Sequence, residues 1–239
     1  MMKGMIRNST IPCLGYTLQA DFHEGVPGSG VLLVFVGFGG SKEDHASFIA
    51  RIVALSGKSA VVVNLSGQGE GDFSMKEMTA GRHILEAVEA FEWVKAKHGS
   101  VTALMGTSYG GYIAAYLSLY RFIPKLILRT PALYPPEDLY TSHQDRDRTH
   151  TRLYTSDMGM VRTHPLFLQT GAGKEKNETL LIVHGRDELV LSATTDAYGA
   201  RFATETYVAE GFMHRFNDPS NPSEARPTYY EAIGSFIGQ

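Results

Sequence analysis

The chain has 239 residues, 43% hydrophobic and 20% charged, with a single Cys and a single Trp. At about 150 residues per domain this length fits one large domain, or one domain with an insertion, and it can bury a core without disulfide or metal staples. The composition excludes disulfide scaffolds, collagen-like repeats and disorder. The 22 Lys and Arg against 25 Asp and Glu leave a net charge of -3, which supplies no basic field to gather nucleic acid.

Residues 1–8 hold Lys3 and Arg7 with no apolar stretch behind them, and the most apolar run, residues 31–36, is too short to span a bilayer. The expectation is therefore a whole, cytoplasmic chain without a membrane span. The lone Cys13 suits a reducing compartment and reads as a small packed hydrophobe, not a nucleophile.

In chain order, residues 11–23 alternate apolar and polar and predict an antiparallel edge. Residues 31–38, 60–65, 101–105 and 180–183 are short apolar runs rich in aliphatic residues, the signature of strands covered on both faces; 125–128 and 206–208 are weaker versions. Between them lie segments of helical period. Ser41 with Asp44 three residues on predicts a capping box, followed by the stripe Phe48, Ile49, Ile52, Val53 and Leu55 and a stop at Gly57. Residues 79–98 carry Ile84, Leu85, Val88, Phe91 and Trp93 or Val94 at helical spacing, closed by Gly99. Residues 109–120, 192–202 and 225–237 read as three further helices. Strand and helix in alternation predict an α/β fold with a mostly parallel sheet and helices on both faces. Residues 132–178 break the alternation with Pro135, Pro136 and a polar tract, and predict a short cap inserted into a core of residues 1–131 and 179–239.

The sharpest chemical signal is Gly106-Thr107-Ser108-Tyr109-Gly110-Gly111, between a predicted strand and a predicted helix. Small residues there allow the cramped turn that presents a serine hydroxyl, and the helix N-terminus offers amide donors to a developing oxyanion. A serine needs a base, and the base needs an acid to fix its tautomer. Asp187 and His214 follow in that order, each just after a predicted strand; Glu188, Asp196 and Asp218 are the rival acids.

On these motifs the chain resembles the α/β-hydrolase superfamily, and within it compact bacterial esterases of the cinnamoyl (feruloyl) type. The resemblance implies an α/β-hydrolase fold with a cap, Ser108 as nucleophile, His214 as base and Asp187 as its partner. It also implies an oxyanion hole built by the loop Val36-Gly37-Phe38-Gly39-Gly40 through the Phe38 amide, together with the amide of Tyr109. Val36 stands where the family has histidine, and Asn64, opening the loop that runs to Asp72, stands where an acid is usual.

The expected reaction is hydrolysis of a small carboxylic ester, without metal or organic cofactor. Tyr134, Tyr140, Met158 and Phe167 are candidates for the substrate pocket. A thioesterase or acyltransferase meeting an acyl carrier through Arg146, Arg148 and Arg152 is one alternative, although Asp145 and Asp147 interleave with these arginines; a non-catalytic ligand receptor is another. A homodimer is a further open partner. The Gly clusters match neither phosphate-loop spacing, and His143, His150 and His164 match no metal-ligand spacing and are expected at the surface or facing substrate. His45, His83 and His98 are expected in solvent, and His184 in the core near the site.

Overall fold

A computed structural model of the chain describes residues 6–71, 73–168 and 177–239. Lys3, Asp72 and the end of the expected cap, residues 169–176, lie outside them. The alternating N-terminal segment forms a hairpin of β1 (Ile6–Cys13) and β2 (Tyr16–His23), turned at Leu14 and Gly15, both at positive φ. The chain continues through β3 (Val31–Phe35), α1 (Lys42–Ser56), β4 (Ser59–Asn64), α2 (Ala80–His98), β5 (Val101–Thr107), α3 (Tyr109–Tyr120) and β6 (Lys125–Arg129). Three short helices follow: α4 (Arg148–Ser156), α5 (Met158–Arg162) and α6 (Pro165–Leu168). Then come β7 (Glu178–His184), α7 (Ser192–Arg201), β8 (Glu205–Ala209) and α8 (Arg226–Gly238).

The eight strands form one sheet in the order β1-β2-β4-β3-β5-β6-β7-β8, parallel from β4 to β8 with the hairpin antiparallel at one edge. Alternate residues feed two cores. Leu33 and Phe35 pack with α2, α3 and α7 on one face, and Leu32 and Val34 with α1 and α8 on the other. Strands covered on both faces cannot alternate apolar and polar, which is why they appear in the sequence as unbroken apolar runs.

The caps follow the sequence. The side chains of Ser41 and Asp44 exchange hydrogen bonds with each other's backbone at the start of α1, and Gly57 ends the helix at φ 74°. Thr79 caps α2 through the amide of Arg82. The buried face of α2, however, is rotated from the expected stripe. His83, Glu86, Ala87, Ala90 and Val94 are buried, whereas Leu85 is exposed, because polar side chains with tertiary partners occupy the inner face. Leu55 of α1 is likewise exposed.

The parallel strands all end at one edge of the sheet, and their following loops gather there. Into this edge leads the stretch between β6 and β7. Its helix α4 buries no side chain, while Val161 of α5 and Leu166 of α6 reach the core.

Candidate active site

Ser108 sits between β5 and α3 at φ 50°, ψ -115°, a backbone conformation that costs a side-chain-bearing residue about 1–3 kcal/mol and persists only when surroundings enforce it. Its N–H donates to the Arg129 carbonyl (2.9 Å), and its carbonyl accepts from Ala132 (3.0 Å) and Tyr112 (3.2 Å). The turn requires glycine nearby. A Cβ on Gly110 would lie 2.2 Å from the Phe35 carbonyl oxygen, so only glycine lets α3 start so close to β3.

The Ser108 hydroxyl lies 3.0 Å from Nε2 of His214, and Nδ1 of the same ring lies 2.8 and 3.0 Å from the two Asp187 oxygens. With Nδ1–H donated to the carboxylate, Nε2 carries the lone pair that faces the hydroxyl. A serine so placed can lose its proton to the ring as it attacks, and the carboxylate stabilises the resulting imidazolium. Burial alone would push the Asp187 carboxyl up, but the hydrogen bond from His214 and the amides of Val190 and Leu189 outweigh it and hold the group below the usual carboxylate range. Glu188, the nearest rival acid, instead accepts the backbone N–H of His214 at 3.1 Å. Asp196 is exposed, and Asp218 is bonded to Ser220.

Residues 36–40 form the neighbouring wall. The Gly40 amide closes a turn onto the Gly37 carbonyl (3.1 Å), and Gln68 clamps the same carbonyl from behind through Nε2 (3.0 Å) while accepting the Leu65 amide on Oε1 (3.0 Å). The Phe38 ring meets those of Tyr109 and His143 edge-on. Val36 is fully buried in the core, a place an imidazole could occupy only at a desolvation cost. Asn64 accepts the Lys42 amide at 2.7 Å, so a neutral side chain does the acceptor work at the start of α1.

A chain of buried polar groups braces Tyr109. Its hydroxyl lies 2.6 Å from Nδ1 of His83, whose Nε2 lies 2.9 Å from the Ser66 carbonyl. Glu86 in turn takes the Ser66 amide (2.9 Å) and hydroxyl (2.6 Å), the Tyr16 hydroxyl and an ion pair from Arg82 (3.2 Å). This network is invisible in the sequence, because a hydrophobic pattern carries no information on polar residues turned inward.

Several expectations are therefore corrected. His83 is fully buried, His45 lines the cavity with Nδ1 on the Ser41 carbonyl, and His98 stacks on Phe22. His164 is buried between Tyr134 and Leu166, facing neither solvent nor cavity, whereas His150 is exposed beside Glu137. His184 is in the core as expected, against Met213 and Tyr229. Cys13 is buried, and burial, seconded by Glu86, pushes its thiol up to about 11.

A cavity of about 1210 Å³ opens over Ser108 and His214. Of the four side chains expected in the pocket, only Tyr134 lines it. Tyr140 is 85% exposed, Met158 is half-buried away from it, and Phe167 packs on Tyr198 and Phe202. Tyr140 precedes α4, Met158 opens α5 and Phe167 lies in α6, so no common helix face aims the three at the cavity. The cavity is lined instead by Arg129, His143, Arg146, Arg148 and Arg152, together with Leu189 and Val190. His143 has no hydrogen-bond partner on either ring nitrogen, and burial, aided by the Arg146 charge, pushes it down to about 3, so it stays neutral. Among the described residues no cluster of three His, Cys, Asp or Glu is placed to hold a metal ion, and no helix is long and apolar enough to cross a membrane.

Residues 54–225 match the pattern of a family described as uncharacterised, UPF0227. No curated protein matches the chain by sequence. Among solved structures, an esterase from Pyrobaculum calidifontis is similar at TM-score 0.71 and 20% identity, over 98% of this chain and 84% of that one. The Est1E protein of Butyrivibrio proteoclasticus, solved with ferulic acid, is similar at TM-score 0.69 and 16% identity over 96% and 97% of the two chains. An α/β serine hydrolase homologue from Coxiella burnetii follows at TM-score 0.65 and 16% identity, over 96% of each. The fold is that of the α/β-hydrolase superfamily.

Proposed function

The chain belongs to the uncharacterised protein family UPF0227, and with its α/β-hydrolase fold as premise we propose that it is a serine hydrolase cleaving a small carboxylic ester. Its solved structural neighbours are esterases and serine hydrolase homologues, which supports hydrolysis as the class. The observation that carries the finer reading is the unbroken line from the Ser108 hydroxyl through His214 to Asp187, at 3.0 and 2.8 Å.

In this reading His214 takes the Ser108 proton as the oxygen attacks the ester carbonyl, and the amides of Phe38 and Tyr109 receive the negative oxygen. The bond to the alcohol breaks as His214 returns the proton to the leaving oxygen. Water, losing a proton to the same ring, then attacks the acyl-serine; the acid leaves and Ser108 regains its hydrogen. Gln68 positions the Phe38 amide by fixing Gly37, and the network from His83 to Glu86 positions Tyr109. The described part of the expected cap, residues 132–168, acts as the cap over the site.

A second reading, transfer or hydrolysis of a carrier-bound thioester, is favoured by the cap arginines. Arg146, Arg148 and Arg152 line the cavity; Arg146 is paired with Asp138 at 3.7 Å, whereas Arg148 and Arg152 form no ion pair among the described residues and are the two cations left to meet an acidic carrier.

A fluorophosphonate probe with peptide mapping tests the nucleophile. The expected result is stoichiometric labelling at Ser108, abolished in Ser108→Ala and His214→Ala. Absence of label on folded protein would overturn the hydrolase reading and favour a ligand receptor; turnover of ester and thioester pairs then separates the two enzymatic readings.

A further inference from the structure

Arg129 ends β6 in register with Thr107 of β5, so the two side chains share the α1/α8 face of the sheet. Arg129 is 4% exposed, yet its Nε and Nη1 have no hydrogen-bond partner, and among the described residues no carboxylate forms an ion pair with it. The Thr107 hydroxyl beside it is also buried without a partner. Both residues line the cavity over Ser108.

A buried cation without a counter-charge is among the most unfavourable things a fold can hold. Two aromatic rings offset part of this, with the guanidinium 4.9 Å from the Phe48 centroid and 5.6 Å from that of Phe216. Neither ring accepts the in-plane N–H bonds, which leaves the donor edge unanswered. The acids nearest the cavity are already engaged: Asp44 with Ser41, Glu188 with the His214 amide and Asp187 with the His214 ring. The Arg129 charge is felt by its neighbours and adds to burial in lowering His45 and His184.

We propose that Arg129 and Thr107 form a binding site for an anionic group, a carboxylate or phosphate, carried by the substrate a few bonds from the carbonyl that Ser108 attacks. The deduction rests on the ester-hydrolase reading for the identity of that carbonyl. A planar guanidinium fork matches two oxygens of such an anion, and the Thr107 hydroxyl supplies a third donor. The substrate class is then an ester bearing one negative group, on either the acyl or the alcohol side.

Two ester pairs locate the anion. The acyl arm compares 4-nitrophenyl hemisuccinate with 4-nitrophenyl butyrate, and the alcohol arm 4-acetoxybenzoate with phenyl acetate. In one arm the preference for the anionic ester, as a ratio of kcat/KM values, falls at least about thirtyfold in Arg129→Met and is partly restored in Arg129→Lys. A purely structural Arg129 would lower both esters of a pair alike and leave the ratio in place. Independently of the variants' folding, succinate or inorganic phosphate binds Ser108→Ala protein with a millimolar or tighter dissociation constant, measured by titration calorimetry, and competes with butyrate ester hydrolysis by the unaltered chain. Hydrolysis of neutral esters with no anion preference in either arm and no binding of either anion would overturn the anion site and leave the hydrolase reading standing. Binding of succinate, lost in Arg129→Met, with no ester hydrolysed would do the reverse.

Discussion

Two groups of buried polar side chains flank Ser108, and they are built on opposite rules. On the α2 side His83, Glu86, Ser66 and Tyr109 satisfy one another completely. On the cavity side Arg129, Thr107 and His143 are equally buried and have unpartnered atoms. Burial of a polar group is repaid only by a hydrogen bond, so the first set is architecture and holds the residue after the serine, while the second is incomplete without something in the cavity. His164 and His184 belong with the satisfied set. Each is a neutral ring that gives one N–H to a backbone carbonyl and accepts on its other nitrogen, from the Leu166 amide and the Tyr229 hydroxyl respectively.

The contrast is sharpest at Glu86. Its replacement by Ala leaves the buried Ser66 amide and hydroxyl without an acceptor and removes the ion pair of the part-exposed Arg82, and is expected to cost about 2–4 kcal/mol in urea unfolding. A loss below about 1 kcal/mol would mean that the network contributes no structure.

The satisfied histidines predict the next effect. Burial, opposed in part by their carbonyl bonds, pushes both His164 and His184 down to about 4, against about 6.5 in an unfolded chain. A folded-state pKa below the unfolded one means that the stabilisation is complete above pH 6.5 and is lost as pH falls toward 4. By pH 5 each ring accounts for about 2 kcal/mol, at about 1.4 kcal/mol per unit, visible as a lower urea midpoint at pH 5 than at pH 7.5. An unchanged midpoint would place these rings in solvent.

Arg129 gives the smallest loss. Arg129→Met leaves no partner stranded and exchanges lost contact with Phe48 and Phe216 for relief of a buried, unpaired charge, so unfolding should range from unchanged to more stable by about 1–4 kcal/mol, with no loss above about 1 kcal/mol. A loss as large as that of Glu86→Ala would move Arg129 into the architectural set and remove the reason to look for its anion.

Most of the fold was legible in the sequence. The apolar runs mark the inner strands, the Ser41–Asp44 box and Gly57 bound α1 as expected, and the glycines around Ser108 sit where α3 approaches β3. Even the weaker runs at 125–128 and 206–208 are strands, because pairing with strong neighbours compensates for poor local pattern. The first apolar run, residues 31–38, extends past its strand: β3 ends at Phe35, and Val36 opens the loop beside Ser108. Less legible were the orientations inside elements. Leu85 is outside and Glu86 inside, since a polar side chain with a guaranteed partner outcompetes an unpartnered apolar one for the inner face.

Sequence alone thus determined the order of elements, their caps and the three residues Ser108, Asp187 and His214 as candidates, because each of these is written in local spacing and in turn chemistry that acts within a few residues. Only the tertiary structure decided that Tyr140, Met158 and Phe167 face away from the cavity while Arg129 faces into it, and that His83 is buried and His143 unpartnered. These are properties of what a side chain meets far along the chain, as between His214 and Ser108, which are 106 residues apart. No local pattern encodes such a meeting; it exists only once the sheet has brought the ends of its strands together.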